Sequence, residues 1–369
     1  MGNPLRILHV VVNMNRGGAE TLIMNLYRNM DRSKIQFDFL TSKEGVFDDE
    51  IVKLGGKIHR IPYISDVGHF AYKKQLDGFF TKNHSYKVVH AHMDKMSGIV
   101  LQAAKKAGIP KRISHSHNTQ SEGGLASRIY KWYAGTLILP NATNLLACSR
   151  QAAQWLFKDK TNTANILKNG IEYQLFSFSP ETRCKVRKEL NIESDACVLG
   201  HVGRFAQQKN HSFLIDIFAN YIREMENSYL ILVGDGPLKP EILAKVKAHN
   251  LEDKVKFLGI RSDINRVLQA FDVFVFPSLH EGLPVSLIEA QAAGLPCLIS
   301  DQISKEVDLR INLIQFLPIY DCKIWISHLM KITSTKMKRS IQPDSLSKQG
   351  YSINETANEL KDFYISMSG

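Results

Sequence analysis

Short runs rich in β-branched residues alternate with longer amphipathic runs along most of the chain, and no other feature narrows the fold as much. "RILHVVVN" (6–13) leads through "MNRGGAE" into "TLIMNLYRNM", where Leu22, Ile23, Leu26 and Met30 recur at helical spacing. Strand-like "FDFLT" (37–41), "KVVHAH" (87–92), "KRISHSH" (111–117) and "TNLLACS" (143–149) follow, with helical stretches such as "MSGIVLQAAKKAG" and "RQAAQWLF" among them. Such alternation predicts a parallel sheet covered by helices on both faces. "ILKNGIEYQLFSFSP" interrupts it with Asn-Gly and Pro, which puts a linker near residues 170–180. A second series then begins with "CVLGHVGRF" (197–205), "YLILVGDG" (229–236), "VKFLG" (255–259), "VFVFPS" (273–278) and "PCLIS" (296–300). At 369 residues the chain exceeds one ordinary core, so two doubly wound domains, 1–173 and 174–350, are expected to face each other across a cleft. Ligands in such sheets sit beyond the carboxyl ends of the strands, so the residues just after each strand are the ones to read.

Composition excludes several classes. Cys148, Cys184, Cys197, Cys297 and Cys322 match neither a metal clip nor a disulfide scaffold, which points to a reducing cytoplasm. The opening "MGNPLRILHVVVN" lacks the layout of a signal peptide, and no apolar run is long enough for a transmembrane helix. The net charge of +11 is uneven: residues 1–173 hold 24 Lys or Arg against 13 Asp or Glu, while residues 174–369 hold 23 against 23. Nucleic acid, an anionic membrane or an anionic small molecule could want that basic half, or the charge could serve solubility alone. The basic residues are dispersed and form no nucleic-acid motif, so no nucleic-acid partner is expected.

The strand ends carry the chemistry. Gly17 and Gly18 in "RGGAE" offer backbone N–H groups at a helix start, which suits an anion but equally a tight turn. Arg204 and Lys209 in "GRFAQQKN" combine a guanidinium fork with a point charge, a pair suited to a diphosphate. "GDGPL" (234–238) is another glycine turn, but neither glycine loop has the third glycine of a dinucleotide fingerprint, so a nicotinamide dehydrogenase is poorly supported. In "FPSLHEGLPVSLIEA" (276–290), Gly282 and Pro284 turn a strand into a helix that Gly294 and Pro296 stop. Glu281 lies in the turn and Glu289 about five residues into the helix, roughly 7.5 Å along its axis. Two carboxylates so placed can hold separate hydroxyl-bearing parts of one ligand, with free helix N–H groups between them for phosphate, which is the layout of a nucleotide sugar.

That stretch resembles the E-x7-E signature of retaining, GT-B-fold glycosyltransferases of family 4, the glycosyl transferases group 1 type. "RGGAE", "VVHAH", "HSHN", "KNGIE", "VGRFAQQKN", "GDGPL" and "FLGIR" resemble further family motifs in order, and the flavour is that of bacterial capsular and exopolysaccharide enzymes. The resemblance implies two Rossmann-like domains, the first for the acceptor and the second for the nucleotide sugar, with residues 351–369 a terminal helix crossing back to the first. It implies that Arg204 and Lys209 bind the donor pyrophosphate, that Glu289 takes the ribose hydroxyls, and that Glu281 faces the transferred sugar. Gly17, Gly18, Gly203, Gly282 and Leu283 would contact the donor, Arg261 would line the base pocket, and Gly234 and Gly236 are lesser candidates. Retention would need no conventional nucleophile, no metal and no cofactor beyond the co-substrate. One departure stands out: "CLISDQISKEVDLRINLIQFLP" carries Asp301 and Glu306 but lacks the glycine-rich turn of many members.

The histidines admit two readings. His115 and His117 lie on the same side of a strand, and a metal pair is disfavoured because no third ligand stands at useful spacing. The resemblance implies that one faces the donor sugar. His117, nearer the strand end, is preferred, with His115 its rival because one residue of slippage exchanges them. His90 and His92 are expected to be structural or to touch the acceptor. A lipid-linked saccharide at an anionic inner membrane face would use the basic first half. There "LASRIYKWYAGTLIL" (125–139) offers a peripheral contact, although such aromatics are more often core. The expected function is metal-independent transfer of a hexose or N-acetylhexosamine from a nucleotide sugar, UDP-linked by preference, in a cytoplasmic protein peripheral to the membrane. The alternatives are a nucleotide-sugar-modifying enzyme of the same fold, of 2-epimerase type, or a non-catalytic nucleotide-sugar-binding protein.

Overall fold

The computed structural model describes residues 3–121, 123–335, 339 and 349–367, so residues 336–338 and 340–348 of the expected second domain and 368–369 of the expected terminal helix lie outside the described residues. The chain divides into two compact units, Met1–Gly170 with Gly350–Gly369, and Ile171–Gln349.

The first unit is built on seven parallel strands: β1 Leu5–Val10, β2 Ile35–Thr41, β3 Ile58–Arg60, β4 Val88–Ala91, β5 Lys111–Ser116, β6 Asn144–Ala147 and β7 Asn165–Ile166. Their spatial order is β3-β2-β1-β4-β5-β6-β7, so the chain winds outward from β1 first one way and then the other. Side chains alternate across the sheet. Leu8, Val10, Val89 and Ala91 join one apolar cluster, while Ile7, Val11, Val88 and Ile113 join the other. The last helix, Ile353–Ser366, covers this second face, packing Ile353, Ala357, Leu360 and Tyr364 into the cluster that holds Leu22, Leu26 and Tyr27 of helix Gly18–Asn29. Gly170 must be glycine where this helix passes, because a Cβ there would lie 2.7 Å from Thr356 Oγ1 and 2.9 Å from Ile353 Cα.

The second unit repeats the plan with six parallel strands, β8 Cys197–Val202, β9 Ser228–Val233, β10 Val255–Gly259, β11 Val273–Phe276, β12 Cys297–Ser300 and β13 Ile314–Leu317, in the order β10-β9-β8-β11-β12-β13. Its core gathers Leu199, Leu214, Phe218, Leu230, Leu232, Val273, Val275, Leu298 and Trp325. Asp272, just before β11, accepts from Arg183 at 2.5 Å and Arg187 at 2.7 Å. Both arginines also donate to carbonyls that end helix Ile264–Ala270, a site where cations favour the helix dipole. Strands β3 and β7 carry no periodic signal because three and two residues are too few to show one.

Tyr364 is fully buried between helix and sheet. Tyr364→Ala is therefore expected to cost about 3–5 kcal/mol of unfolding free energy, read from urea denaturation, with the second unit's transition little changed.

Candidate active site

In the second unit the loop after β8 and the loop after β11 are stitched together. Leu279 N–H donates to Gln208 O at 2.8 Å, and Gln208 Nε2 donates to His280 O at 2.8 Å. Lys209 Nζ donates to Glu281 Oε1 at 2.7 Å and lies 4.6 Å from the centre of the Phe276 ring. The side chains are only 15% and 8% exposed, so each charge depends on the other for solvation. Arg204 stands out into solvent, and its side chain makes no hydrogen bond or ion pair with the described residues. Fixed Lys209 and open Arg204 thus rise from one loop.

Gly203, Gly234 and Gly236 meet beside them. Gly234 adopts φ +135°, and a Cβ on it would fall 2.1 Å from Gly203 O; one on Gly236 would fall 2.5 Å from Phe205 O. Glycine is required there for the backbone of one loop to lie against the other, whatever ligand the loops hold. Arg261 is held by a bidentate bond to Asp263, at 2.8 and 2.7 Å, and Arg266 shares the same carboxylate.

Helix Val285–Ala292 starts after Pro284, and Glu289 is its fifth residue. Gly282 and Leu283 are buried in the turn between the two glutamates, and Glu281 is buried with them. Burial without a compensating cation pushes the Glu289 carboxyl up to about 7. The stretch without a glycine turn is held differently: buried Gln291 donates to Val307 O at 2.9 Å and accepts from Leu309 N at 3.1 Å. Arg310 and Asn312 then take the left-handed backbone, at φ 56° and 59°, that glycine takes at ordinary turns. Asp301 is exposed and Glu306 half-buried.

In the first unit Gly17 caps helix Gly18–Asn29. The Glu20 carboxylate lies over it, where a Cβ on Gly17 would stand, whereas a Cβ on Gly18 would meet nothing within 4 Å. His115 and His117 do share a side of β5, with ring centres 4.0 Å apart. His115 is fully buried, while His117, one residue past the strand, is partly exposed. The adjacent strands add what sequence spacing hid. His9 on β1 pairs in register with His90 on β4, and His92 follows that strand. His9, His90 and His92, and likewise His92, His115 and His117, bring ring nitrogens within 4.8 Å of one another. The expectation that no third imidazole is available is thereby corrected: the fold supplies it from neighbouring strands. Hydrogen bonds join these rings, His9 Nδ1 to His92 Nε2 at 2.9 Å, His92 Nδ1 to His117 Nε2 at 2.9 Å, and His90 Nε2 to His115 Nδ1 at 3.1 Å. Burial drives His9 and His117 down to about 3, and His90, His92 and His115 well below 6.5, so the array is neutral. Asp94, in a left-handed turn at φ 47°, accepts the backbone N–H of His117 at 3.0 Å; burial raises its carboxyl to about 6. His9, Asp94 and the sheet-facing Tyr364 were not singled out by sequence, although alternation along β1 already placed His9 on the face of Ile7 and Val11.

Residues 17–165 match the glycosyl transferase 4-like domain, and residues 196–312 match glycosyl transferases group 1. EpsF of Bacillus subtilis (strain 168), which carries a glycosyltransferase name, is 38% identical over 368 residues, covering 97% of this chain and 96% of its own. The chain belongs to the group 1 glycosyl transferases. It is a glycosyltransferase by family. A second relative, the Escherichia coli UDP-Gal:alpha-D-GlcNAc-diphosphoundecaprenol alpha-1,3-galactosyltransferase, is 28% identical over 301 residues, covering 78% of this chain and 77% of its own. The crystal structure of Anabaena HepE in complex with UDP and glucose superimposes with a TM-score of 0.80 at 19% identity, over 98% of this chain and 100% of that one. The two Rossmann-like units are those of the GT-B fold.

Removing one member of the Lys209–Glu281 pair leaves the other charge buried, so Glu281→Ala is expected to lower stability by about 3–5 kcal/mol. The double variant Lys209→Met with Glu281→Leu should recover part of that loss in a urea-unfolding double-mutant cycle, with a coupling of about 0.5–3 kcal/mol.

Proposed function

We propose that this glycosyltransferase moves a hexose or N-acetylhexosamine from a UDP-sugar to a lipid-linked saccharide in the synthesis of a cell-surface polysaccharide, with retained anomeric configuration and without a metal. The observation that carries this reading is the stitched pair of loops that presents open Arg204 and fixed Lys209–Glu281 within one unit, with Glu289 on the helix that follows. Arg204 and Lys209 take the pyrophosphate and offset the charge that grows on the leaving UDP, which does the work a metal does elsewhere. Glu289 accepts the ribose hydroxyls, Glu281 orients the sugar, and the backbone of Gly282 and Leu283 lies against sugar or phosphate. Gly203, Gly234 and Gly236 keep the phosphate loop low, Gly17 and Gly18 offer N–H groups to an anion, and Arg261, held by Asp263, borders the base. His117 is assigned to a hydroxyl of the transferred sugar, with His115 behind it. The acceptor hydroxyl oxygen bonds to the anomeric carbon as the bond to the β-phosphate breaks. The departing phosphate oxygen takes the hydroxyl proton, so no protein nucleophile is consumed. The UDP and lipid-linked preferences draw support from the ligand of the HepE structure and the name of the E. coli relative.

Donor binding should be measured first by calorimetry with UDP-, GDP- and ADP-sugars, with and without magnesium. A UDP-sugar should bind alone and equally well without metal, and Arg204→Ala should weaken it at least tenfold. A carboxylate accepts two hydroxyl hydrogen bonds better than a carboxylic acid, so the affinity should rise as pH passes upward through about 7 and become flat in Glu289→Gln. Binding of no nucleotide sugar, or a strict magnesium requirement, would sink the donor assignment.

The membrane contact rests on helix Leu125–Thr136, whose Leu125, Ile129, Trp132 and Tyr133 are 76%, 58%, 61% and 40% exposed rather than core. Tyr130 is the exception: its hydroxyl meets His69 Nδ1 at 2.5 Å. Phe70, beside the Gly68 kink of helix Ile64–Lys82, is 87% exposed, its neighbour His69 packs on Tyr130 and Tyr133, and Arg128 and Lys131 lie on the same helix as those tyrosines. No helix among the described residues is long and apolar enough to cross a membrane. Sedimentation with vesicles should show binding to anionic but not neutral lipid, weakening with salt. Trp132→Ala should reduce it severalfold, and equal failure to bind either vesicle would remove the membrane from the proposal.

A further inference from the structure

The transfer chemistry uses one imidazole of the first unit, yet five are built into three adjacent strands in two hydrogen-bonded rows. In the first, His9 Nδ1 meets His92 Nε2 and His92 Nδ1 meets His117 Nε2, both at 2.9 Å. In the second, the Tyr364 hydroxyl meets His90 Nδ1 at 2.6 Å, and His90 Nε2 meets His115 Nδ1 at 3.1 Å. A neutral imidazole has one N–H and one lone pair, so once one bond in a row has a direction all the others follow it.

The closed end of each row sets that direction. His9 Nε2 and His115 Nε2 are buried and have no hydrogen-bond partner among the described residues. If the first row ran from His117 to His9, the His9 Nε2 atom would carry a buried N–H with no acceptor. Running the other way, it keeps only a bare lone pair, and buried orphan N–H groups are the rarer case. His9 then donates to His92, His92 donates to His117 Nε2, and the remaining proton of His117 sits on Nδ1. That nitrogen has no hydrogen-bond partner among the described residues, on a ring that is partly exposed. The same rule makes His115 donate to His90, and His90 to the Tyr364 oxygen.

We propose that the row His9–His92–His117 is a tautomer lock: His9 and His92 are positioning residues that hold His117 with its proton on Nδ1. His117 then offers a substrate hydroxyl a hydrogen-bond donor, and serves neither as a general base nor as a cation. This rests on the reading that His117 meets the transferred sugar. The surroundings agree with a neutral row. Among the described residues Asp38 is the acid that pulls His9 upward, against a larger effect of burial, and Asp94 spends its carboxylate on the backbone N–H of His117. The row ends in a buried nitrogen, so it orients a proton without conducting one to solvent.

Selective 15N-histidine labelling with long-range proton–nitrogen correlation reads the tautomers directly in the whole protein, with assignments from single-histidine variants. Nδ1–H forms at His9, His92 and His117, unchanged between about pH 5.5 and 8, are expected. An Nε2–H form at His117, titration of its ring within that window, or stoichiometric zinc on the ring nitrogens overturns the lock. Kinetics add a second readout. His9→Asn keeps an amide N–H near the place of Nδ1 and should hold kcat near that of the parent, whereas His9→Phe should lower kcat about tenfold with the donor KM little changed. Unchanged kcat in a folded His9→Phe variant also overturns it. Absence of transfer with every donor sugar would instead strike at the assignment of His117 to a sugar, since the tautomer spectrum does not depend on substrate.

Discussion

Parallel pairing of strands is the constraint from which the rest of each unit follows. Every registered pair in both sheets is parallel, so within each sheet all strands deliver their last residues to one edge. Parallel neighbours need a crossover, and the crossovers of each unit carry the helices that cover its sheet. What is left at the C-terminal edge is loop, free of ladder duty and open to chemistry. In the first unit that edge holds His92, Asp94 and His117 after β4 and β5; in the second it holds Arg204, Lys209 and Glu281 after β8 and β11.

The two edges are chemically unlike. The second unit works with full charges that are partly neutralised in advance: Lys209 arrives already bonded to Glu281, and Arg261 to Asp263. Such pairs cost desolvation energy, but they hold long side chains still before any ligand comes, which lowers the ordering cost of binding. The first unit works with dipoles. Its polar rings are buried deeply enough to stay uncharged, and the hydrogen bonds between them carry direction without carrying charge.

Much of this was legible in the sequence. Ten of the thirteen described strands announce themselves as short apolar runs, and the turn from Glu281 to Glu289 reads correctly as strand, break and helix because Pro284 stands at the helix N-cap with φ −69° and Gly294 takes φ 69° just past its end. Three things were not legible, and for physical reasons. Which glycines serve a ligand and which serve the backbone depends on what lies opposite, as Gly203 O opposite Gly234 shows. An ion pair such as Lys209–Glu281 joins residues far apart in the chain, and no local pattern encodes it. The histidine rows depend on the strand order β1-β4-β5, which brings His9 next to residues more than eighty positions away; spacing along the chain counts only His90 with His92 and His115 with His117. The exposed face of helix Leu125–Thr136 likewise looked like core because apolar periodicity says which residues share a face, not whether anything covers it.

The histidine rows bear on how the first unit folds as well as on its chemistry. Shifting β1 or β4 by one residue would turn its imidazoles toward the aliphatic cluster of the opposite face and its Leu, Val or Ala side chains toward the rings, and the same shift of β5 would put Ser114 and Ser116 in the place of His115 and His117. Each misaligned strand would bury several ring nitrogens without partners, while only the native alignment satisfies most of them at once. An aliphatic face tolerates sliding because one branched side chain resembles the next; a face of mutually bonded rings does not. The five histidines therefore act as a ruler for strand alignment, penalising near-miss pairings that hydrophobic burial alone would leave almost as stable as the native one.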